Sequence, residues 1–380
     1  MLEQAARRLL DATGPDDVVA RLGGDEFIVA LGDSDGRRAS RIASAVLEVF
    51  RAPFELENRS LVLTASIGIA VGSERATAET LIRDADIALY KAKDSGRNQV
   101  AVFGSRLRRE AWRRLGTESD LRDALSRDDI VAHYQPIYDL ATGAVVSAEA
   151  LARWTNTAGR TVPPDQFIPV AEECGLIIPL GQRILDEVSL ALPSLEGALG
   201  NDRAIVWVNV STRQLDEPFF VEEVVGWARE RGLLGRVGLE ITESVLGRND
   251  ALTHAAVESL ARAGFLVAID DFGTGYSSLS RLANYPVDLI KIDRSFVRNL
   301  GTDTGARIVR TIVELTHSLG AHACAEGVES DEELEVLRRL GVDRVSGFRL
   351  CPPRPLPQLA DAARAGTDLL RSVCRIPRAG

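Results

Sequence analysis

Residues 266–279 read LVAIDDFGTGYSSL. Four apolar residues run directly into two adjacent aspartates, Asp270 and Asp271, and glycines then turn the chain. The apolar half predicts a short buried strand. The acidic half sits at the mouth of whatever core that strand enters. Burying neighbouring negative charges costs several kcal/mol per ion unless they are paired or hold a metal.

The same design recurs on either side. Apolar segments at 131–138, 145–151, 205–210, 237–241, 266–269, 288–292, 322–325 and 344–348 are separated by helical patterns, for example at 165–191, 219–231, 250–263, 304–319 and 331–340. Eight strand-like segments interleaved with helices over about 250 residues predict a (β/α)8-like barrel. Periodicity alone leaves a doubly wound open sheet as the alternative.

Polar residues cluster where these segments end. The second segment reaches Glu149 within EALAR, and the third, IVWVNVS, carries Asn209. VGLEITE supplies Glu240 and Glu243, LIKID supplies Lys291 and Asp293, and HACAEGVE supplies Glu326 and Glu329. Any single acid here is ordinarily a helix cap or a solvated loop residue. Five strands repeating the placement, with Lys291 as the lone cation, is a different matter. Parallel barrel strands bring their C-terminal ends to one face, where barrel enzymes keep their chemistry. One ammonium cannot neutralise so many carboxylates, so divalent metal is expected.

The donors are carboxylates and one amide, a set that suits Mg²⁺ or Mn²⁺. His133, His254, His317 and His322 form no ligand-like spacing. Two ions roughly 3.5–4 Å apart, bridged by an aspartate, would clamp a phosphodiester for in-line attack. A nearby lysine can orient the attacking water or stabilise transition-state charge.

Composition sets the class. The chain has 380 residues, 45% hydrophobic and 26% charged, which is ordinary for a soluble globular protein. No apolar run approaches the roughly 18–20 residues of a membrane span, and the start, MLEQAARRLL, does not read as a secretory signal. Cys174, Cys324, Cys351 and Cys374 fit no zinc or redox spacing, so a cytoplasmic location is expected. A net charge of −10 argues against broad nucleic-acid binding. The arginine-rich run 106–114 reads as a solvated helical linker, with a nucleic-acid or membrane patch as the rival.

Ahead of that run the pattern predicts helix 2–12, strands 18–22 and 27–31 about a Gly-Gly turn, helix 37–50, strand 61–70 and helix 78–93. In the last helix Leu81, Ala85, Ala88, Leu89 and Ala92 give a buried face. The expected division is a segment at 1–103, a linker at 104–119 and a barrel at 120–380.

The motifs resemble a known family. YQPI at 134–137, EALAR at 149–153, VNVSTRQL at 208–215, LEITES at 239–244, DDFGTGYSSL at 270–279, LIKIDRSFV at 289–297 and AEGVES at 325–330 are similar to the EAL-domain phosphodiesterases, in the family's order. RLGGDEF at 21–27, TASIGIA at 64–70 and ADIALYKAKDSGRN at 85–98 resemble a GGDEF domain, so the chain as a whole resembles tandem GGDEF–EAL proteins.

The resemblance implies a barrel whose first strand is antiparallel to the rest. It also implies hydrolysis of cyclic di-GMP to linear pGpG, lowering a bacterial second messenger. Glu149, Asn209, Glu240 and Asp270 match the first metal site, and Asp270, Asp271 and Glu326 match the second. Lys291 matches the lysine that positions the attacking water. Arg153 matches a contact to substrate phosphate, and Gln135 lies where the family approaches a guanine. Glu243 matches the glutamate that steadies the DFGTGYSSL loop, beside which the family forms a dimer, so a homodimer is expected.

Ser346 stands where the family usually has glutamine, and reduced turnover is expected from the shorter side chain. In the GGDEF segment Gly23, Gly24, Asp25 and Glu26 form the turn, and Lys93 and Arg97 match phosphate contacts, which makes GTP the ligand implied there. This segment begins at the helix before the hairpin, and Gly14 replaces the arginine of the regulatory RxxD motif, although Asp17 remains. It is therefore expected to be a partial domain, from a misassigned start, a fragment or a degenerate regulator, without cyclase activity. The rivals for the barrel are a receptor that binds cyclic di-GMP without cutting it, and a metal phosphodiesterase for another substrate.

Overall fold

The structure, a computed structural model, describes residues 1–32, 35–56, 59–72, 76–247, 251–274 and 282–375. It divides into two compact units, Met1–Gly116 and Thr117–Gly380. Helix Ser105–Ser126 spans that division. Among the described residues no helix is long and apolar enough to cross a membrane.

The first unit is a small α/β assembly. Helix Leu2–Ala12 precedes the antiparallel hairpin of β1 (Val18–Gly23) and β2 (Glu26–Ala30). Helix Gly36–Phe50 leads to the antiparallel pair β3 (Phe54–Leu56) and β4 (Arg59–Leu61). β5 (Ile67–Ile69) pairs in parallel with β6 (Val100–Val102) across helix Ala78–Asp94. That helix starts in a reciprocal cap: Thr80 N donates to Thr77 Oγ1 and Thr77 N donates to Thr80 Oγ1. Its buried Ala88 and Ala92 fulfil the helical spacing read from sequence. A side chain at Gly68 would overlap Ala85 and Leu89, so glycine lets the helix backbone lie directly on β5. The strand expected over 61–70 is instead two short strands, because β4 pairs with β3 and β5 with β6.

The second unit is a closed barrel. Its strands are β7 (Ile130–Asp139), β8 (Val145–Thr155), β10 (Ile205–Asn209), β11 (Val237–Thr242), β12 (Leu266–Phe272), β13 (Leu289–Ile292), β14 (His322–Ala325) and β15 (Arg344–Val345). β9 (Thr161–Val162) extends the sheet beyond β8, and the β10–β8 pairing closes the eight-stranded ring. Pairings from β8 through β10 to β15 are all parallel, whereas β7 runs antiparallel to both neighbours, β8 and β15. The open-sheet alternative is excluded by this closure.

Helices cover the outside of the ring. The stretch expected as one helix over 165–191 is two, Pro164–Cys174 and Ile177–Leu199, separated where Gly175 adopts a left-handed φ of 81°. Apolar faces of these and later helices pack on the outward residues of the strands, such as Val206, Val208, Leu239, Ile241 and Val345.

Inward residues form a separate small cluster of Ile137, Trp207, Ala268, Leu289 and Cys324. Trp207 fills this interior only because Gly238 beside it has no side chain; a Cβ there would overlap the indole ring. The cluster is a dry floor. Since side chains on a strand alternate, the next inward residue on each strand stands one layer higher: Gln135, Asn209, Asp270, Lys291 and Glu326. Glu149 and Glu240 join that layer from β8 and β11.

Candidate active site

The polar layer converges on one ammonium. Lys291 Nζ lies 3.0 Å from Glu149 Oε2, 2.8 Å from Glu240 Oε2, 3.3 Å from Asp270 Oδ1 and 2.7 Å from Glu326 Oε1. These four oxygens from four strands are therefore no more than about two hydrogen-bond lengths apart. Lys291 and Glu240 are each 1% exposed, while the other carboxylates open slightly toward the rim. Asn209 Nδ2 donates to Glu149 Oε1 at 2.9 Å, which ties the amide into the group.

Electrostatics follow from that crowding. Burial disfavours a charged Lys291, yet the four carboxylates outweigh it and hold the ammonium well above its ordinary pKa. Burial, then the charge of Glu149, pushes Glu240 far up. Glu326 rises to about 8, mainly through burial. Burial also acts on Glu149, but the Lys291 charge and hydrogen bonds from Asn209 and Lys291 draw its carboxyl below the usual range. So the cluster keeps more negative potential than one cation neutralises.

The fit to a metal rests on these donors. They are hard oxygens, and Glu240 Oε1 is buried without a hydrogen-bond partner. An orphaned carboxylate oxygen is costly in a protein interior and is well matched to a divalent cation. Among the described residues no three acidic, histidine or cysteine side chains are drawn up as a finished cage, because the acids gather on the ammonium instead.

Other expected residues fall at graded distances from this centre. Gln135 pairs in register with Glu149 and donates from Nε2 to Cys351 O at 3.2 Å. Arg153 is half-buried farther along β8, where burial lowers its pKa and Glu149 opposes that. Asp271 is exposed at φ 54°, with its N–H on Asp270 Oδ1 at 2.9 Å. Burial and then Asp270 raise its pKa. Glu243, buried, accepts from Gly273 N at 2.8 Å and so fixes the start of the DFGTGYSSL loop. Most of that loop, 275–279, lies outside the described residues, as does most of the surface on which the dimer expectation rested.

Asp293 caps helix Arg294–Arg298 by accepting from Ser295 N at 3.0 Å. Glu329 is exposed and pairs with Arg298 at 3.1 Å, outside the cluster. Ser346 is buried beside β14, with its N–H on Ala325 O at 2.9 Å and its carbonyl accepting from Val328 N at 3.1 Å. In the first unit, Gly24 turns the hairpin at φ 52°, and its carbonyl accepts from Arg21. Asp25 is exposed, Lys93 reaches Glu26 at 3.8 Å, and Arg97 sits at φ 54° just past the helix end.

Sequence reading missed the floor. Trp207 and Gly238 look like ordinary strand residues, although each stands two positions before a site residue, Asn209 and Glu240. That two-residue offset was the available signal.

Comparison with known proteins agrees with this architecture. The family description "EAL domain" matches residues 118–353, and "Diguanylate cyclase, GGDEF domain" matches residues 1–99. The chain is 36% identical over 361 residues to the cyclic di-GMP phosphodiesterase PdeR of Escherichia coli strain K12, covering 93% of this chain and 54% of PdeR. It is 36% identical over 363 residues to the bifunctional diguanylate cyclase/cyclic di-GMP phosphodiesterase MucR of Pseudomonas aeruginosa, covering 94% and 53%. Among solved structures, a MucR phosphodiesterase complex with cyclic di-GMP is similar at 37% identity and a TM-score of 0.61, over 64% of this chain and 99% of that one. The chain spans about half the length of the curated relatives it matches.

Proposed function

We propose, from the premise that this chain belongs to the EAL-domain family and carries a GGDEF domain ahead of it, that its barrel hydrolyses cyclic di-GMP to linear pGpG. The observation that carries this reading is the gathering of Glu149, Glu240, Asp270 and Glu326 on Lys291, with Glu240 Oε1 left unpartnered.

Glu149, Asn209, Glu240 and Asp270 would hold one divalent ion, and Asp270, Asp271 and Glu326 a second. Bound Mg²⁺ or Mn²⁺ supplies Lewis-acid activation of water and of the scissile phosphate. Lys291, held by four carboxylates of its own layer, is a buried charged donor at the centre of the site. It orients the attacking water and stabilises the charge that builds on phosphate oxygens. Arg153, with no acidic partner at hydrogen-bond distance among the described residues, is available to a substrate phosphate from the β8 side. The apolar floor excludes water from beneath, which strengthens each of these interactions.

The test is incubation of the purified protein with cyclic di-GMP and Mn²⁺, followed by chromatography. A pGpG peak that disappears with chelator is expected; tight binding with no product would favour the receptor reading.

A further inference from the structure

The motif VNVSTRQL continues past Asn209 into residues that the proposed chemistry does not use. Asn209 itself is exposed at the open rim, at the end of β10. Its Nδ2 donates to Glu149 Oε1 at 2.9 Å, so Oδ1 is the amide atom left for a cation. That orientation matters, because the oxygen is the acceptor end of the amide and the one a hard metal ion takes. The backbone that carries this exposed side chain therefore has to be fixed from elsewhere.

The two amides that follow Asn209 are both tied down. Val210 N donates to Glu240 O at 2.8 Å, which continues the pairing of β10 with β11. Ser211 N donates to Gln214 Oε1 at 3.0 Å, and Ser211 Oγ donates to the same oxygen at 3.1 Å. Gln214 N returns a bond to Ser211 Oγ at 3.3 Å, so the pair is a reciprocal cap on the short helix Thr212–Leu215. Four residues make too few hydrogen bonds to hold a helix alone. This one is fastened to two others. Gln214 is 3% exposed, and a Cβ at Gly181 of helix Ile177–Leu199 would overlap its amide. Arg213 Nη1 donates to Glu173 O at 2.9 Å and to Glu172 O, carbonyls at the end of helix Pro164–Cys174.

We infer that Gln214 is a positioning residue for Asn209: its bonds to Ser211 and its seat on Gly181 anchor the end of β10 to an outer helix, and so set where the Asn209 amide oxygen meets a divalent cation. This deepens the function proposed above and rests on it. A capping glutamine ordinarily stabilises its own helix and nothing more. Here the cap closes on the second amide after a metal-ligand candidate, and the ligand's own side chain is exposed. Groups that orient a ligand in this way govern metal affinity without touching the ion.

The experiment titrates Mn²⁺ into wild type, Gln214→Ala, Asn209→Ala and the double variant, reading free Mn²⁺ by electron paramagnetic resonance with no substrate present. Gln214→Ala should weaken Mn²⁺ binding about tenfold, the lower end of what loss of a ligand-orienting group costs. In the Asn209→Ala background the same change should cost less than about twofold, because the residue it acts through is gone. Equal falls in both backgrounds would reduce Gln214 to general structural support and overturn the assignment, as would wild-type affinity in Gln214→Ala. Gln214→Glu keeps the acceptor for Ser211 and should bind Mn²⁺ within about threefold of wild type. It serves the comparison if the alanine variant does not fold, and a loss of about tenfold there would place the role outside the cap and overturn the assignment. Release of pGpG is followed separately in wild type. Absence of product would end the hydrolase reading, while the four affinities would still decide this one.

Discussion

Lys291 shows how a single residue can organise a site. Its ammonium is the common partner of four carboxylates contributed by four strands. Removing it leaves buried acids facing one another, so Lys291→Met should destabilise the metal-free protein by about 3–5 kcal/mol, read by denaturant unfolding. Added Mn²⁺ should recover part of that loss. Glu149→Ala removes a different element of the site. We expect turnover to fall by at least ~100-fold with circular dichroism and melting temperature close to wild type, and near-normal turnover would discredit Glu149 as a ligand. Ser346 is buried, and its side chain is short. Ser346→Gln should raise kcat/KM severalfold, and identical kinetics would mean the hydroxyl costs nothing. Lys291 and Glu149 were legible from sequence because each is a polar group within or at the end of an apolar run, whereas Ser346 stood out only through the family resemblance. Asp271 was given a metal role only by the family resemblance; its positive φ of 54° leaves no mark in the sequence.

Elements set that layer's height. Each short parallel strand gives one inward apolar residue and, two positions on, one inward polar residue, as with Trp207 and Asn209 or Leu289 and Lys291. The floor and the site are therefore one construction. Gly238→Ala should test it, because a methyl there overlaps the rigid Trp207 ring. A loss of about 1–3 kcal/mol is expected, together with lower turnover, since Glu240 stands directly above on the same strand. An unchanged melting temperature and rate would show that the floor adjusts freely. The strand–helix alternation was legible in sequence because the apolar periods differ. Boundaries were not. β8 runs on to Thr155, well beyond Glu149, because β7 pairs with it through Trp154. The break at Gly175 was hidden inside a continuous helical pattern, and only the left-handed φ reveals it.

On the scale of the whole molecule, a chain of net charge −10 concentrates several of its acids inside one barrel. Such a fold should be stabilised by whatever binds the native cluster and not the unfolded chain. At about 100 times its dissociation constant, Mn²⁺ should add ~2.7 kcal/mol to the unfolding free energy of the barrel. Glu240→Gln should sharply reduce that increment, and an equal increment in the variant would move the ions elsewhere. Barrel closure was predicted from the count and spacing of segments; the antiparallel first strand came only with the family resemblance, since pairing direction leaves no mark on apolar periodicity.

The proposed hydrolysis requires that the acids around Lys291 hold a pair of divalent cations. Anomalous scattering at the manganese edge, from crystals soaked in Mn²⁺, asks this directly. Two neighbouring peaks coordinated by Glu149, Asn209, Glu240, Asp270, Asp271 and Glu326 are predicted. Saturating Mn²⁺ that leaves no peak within reach of these oxygens would contradict a two-ion site here.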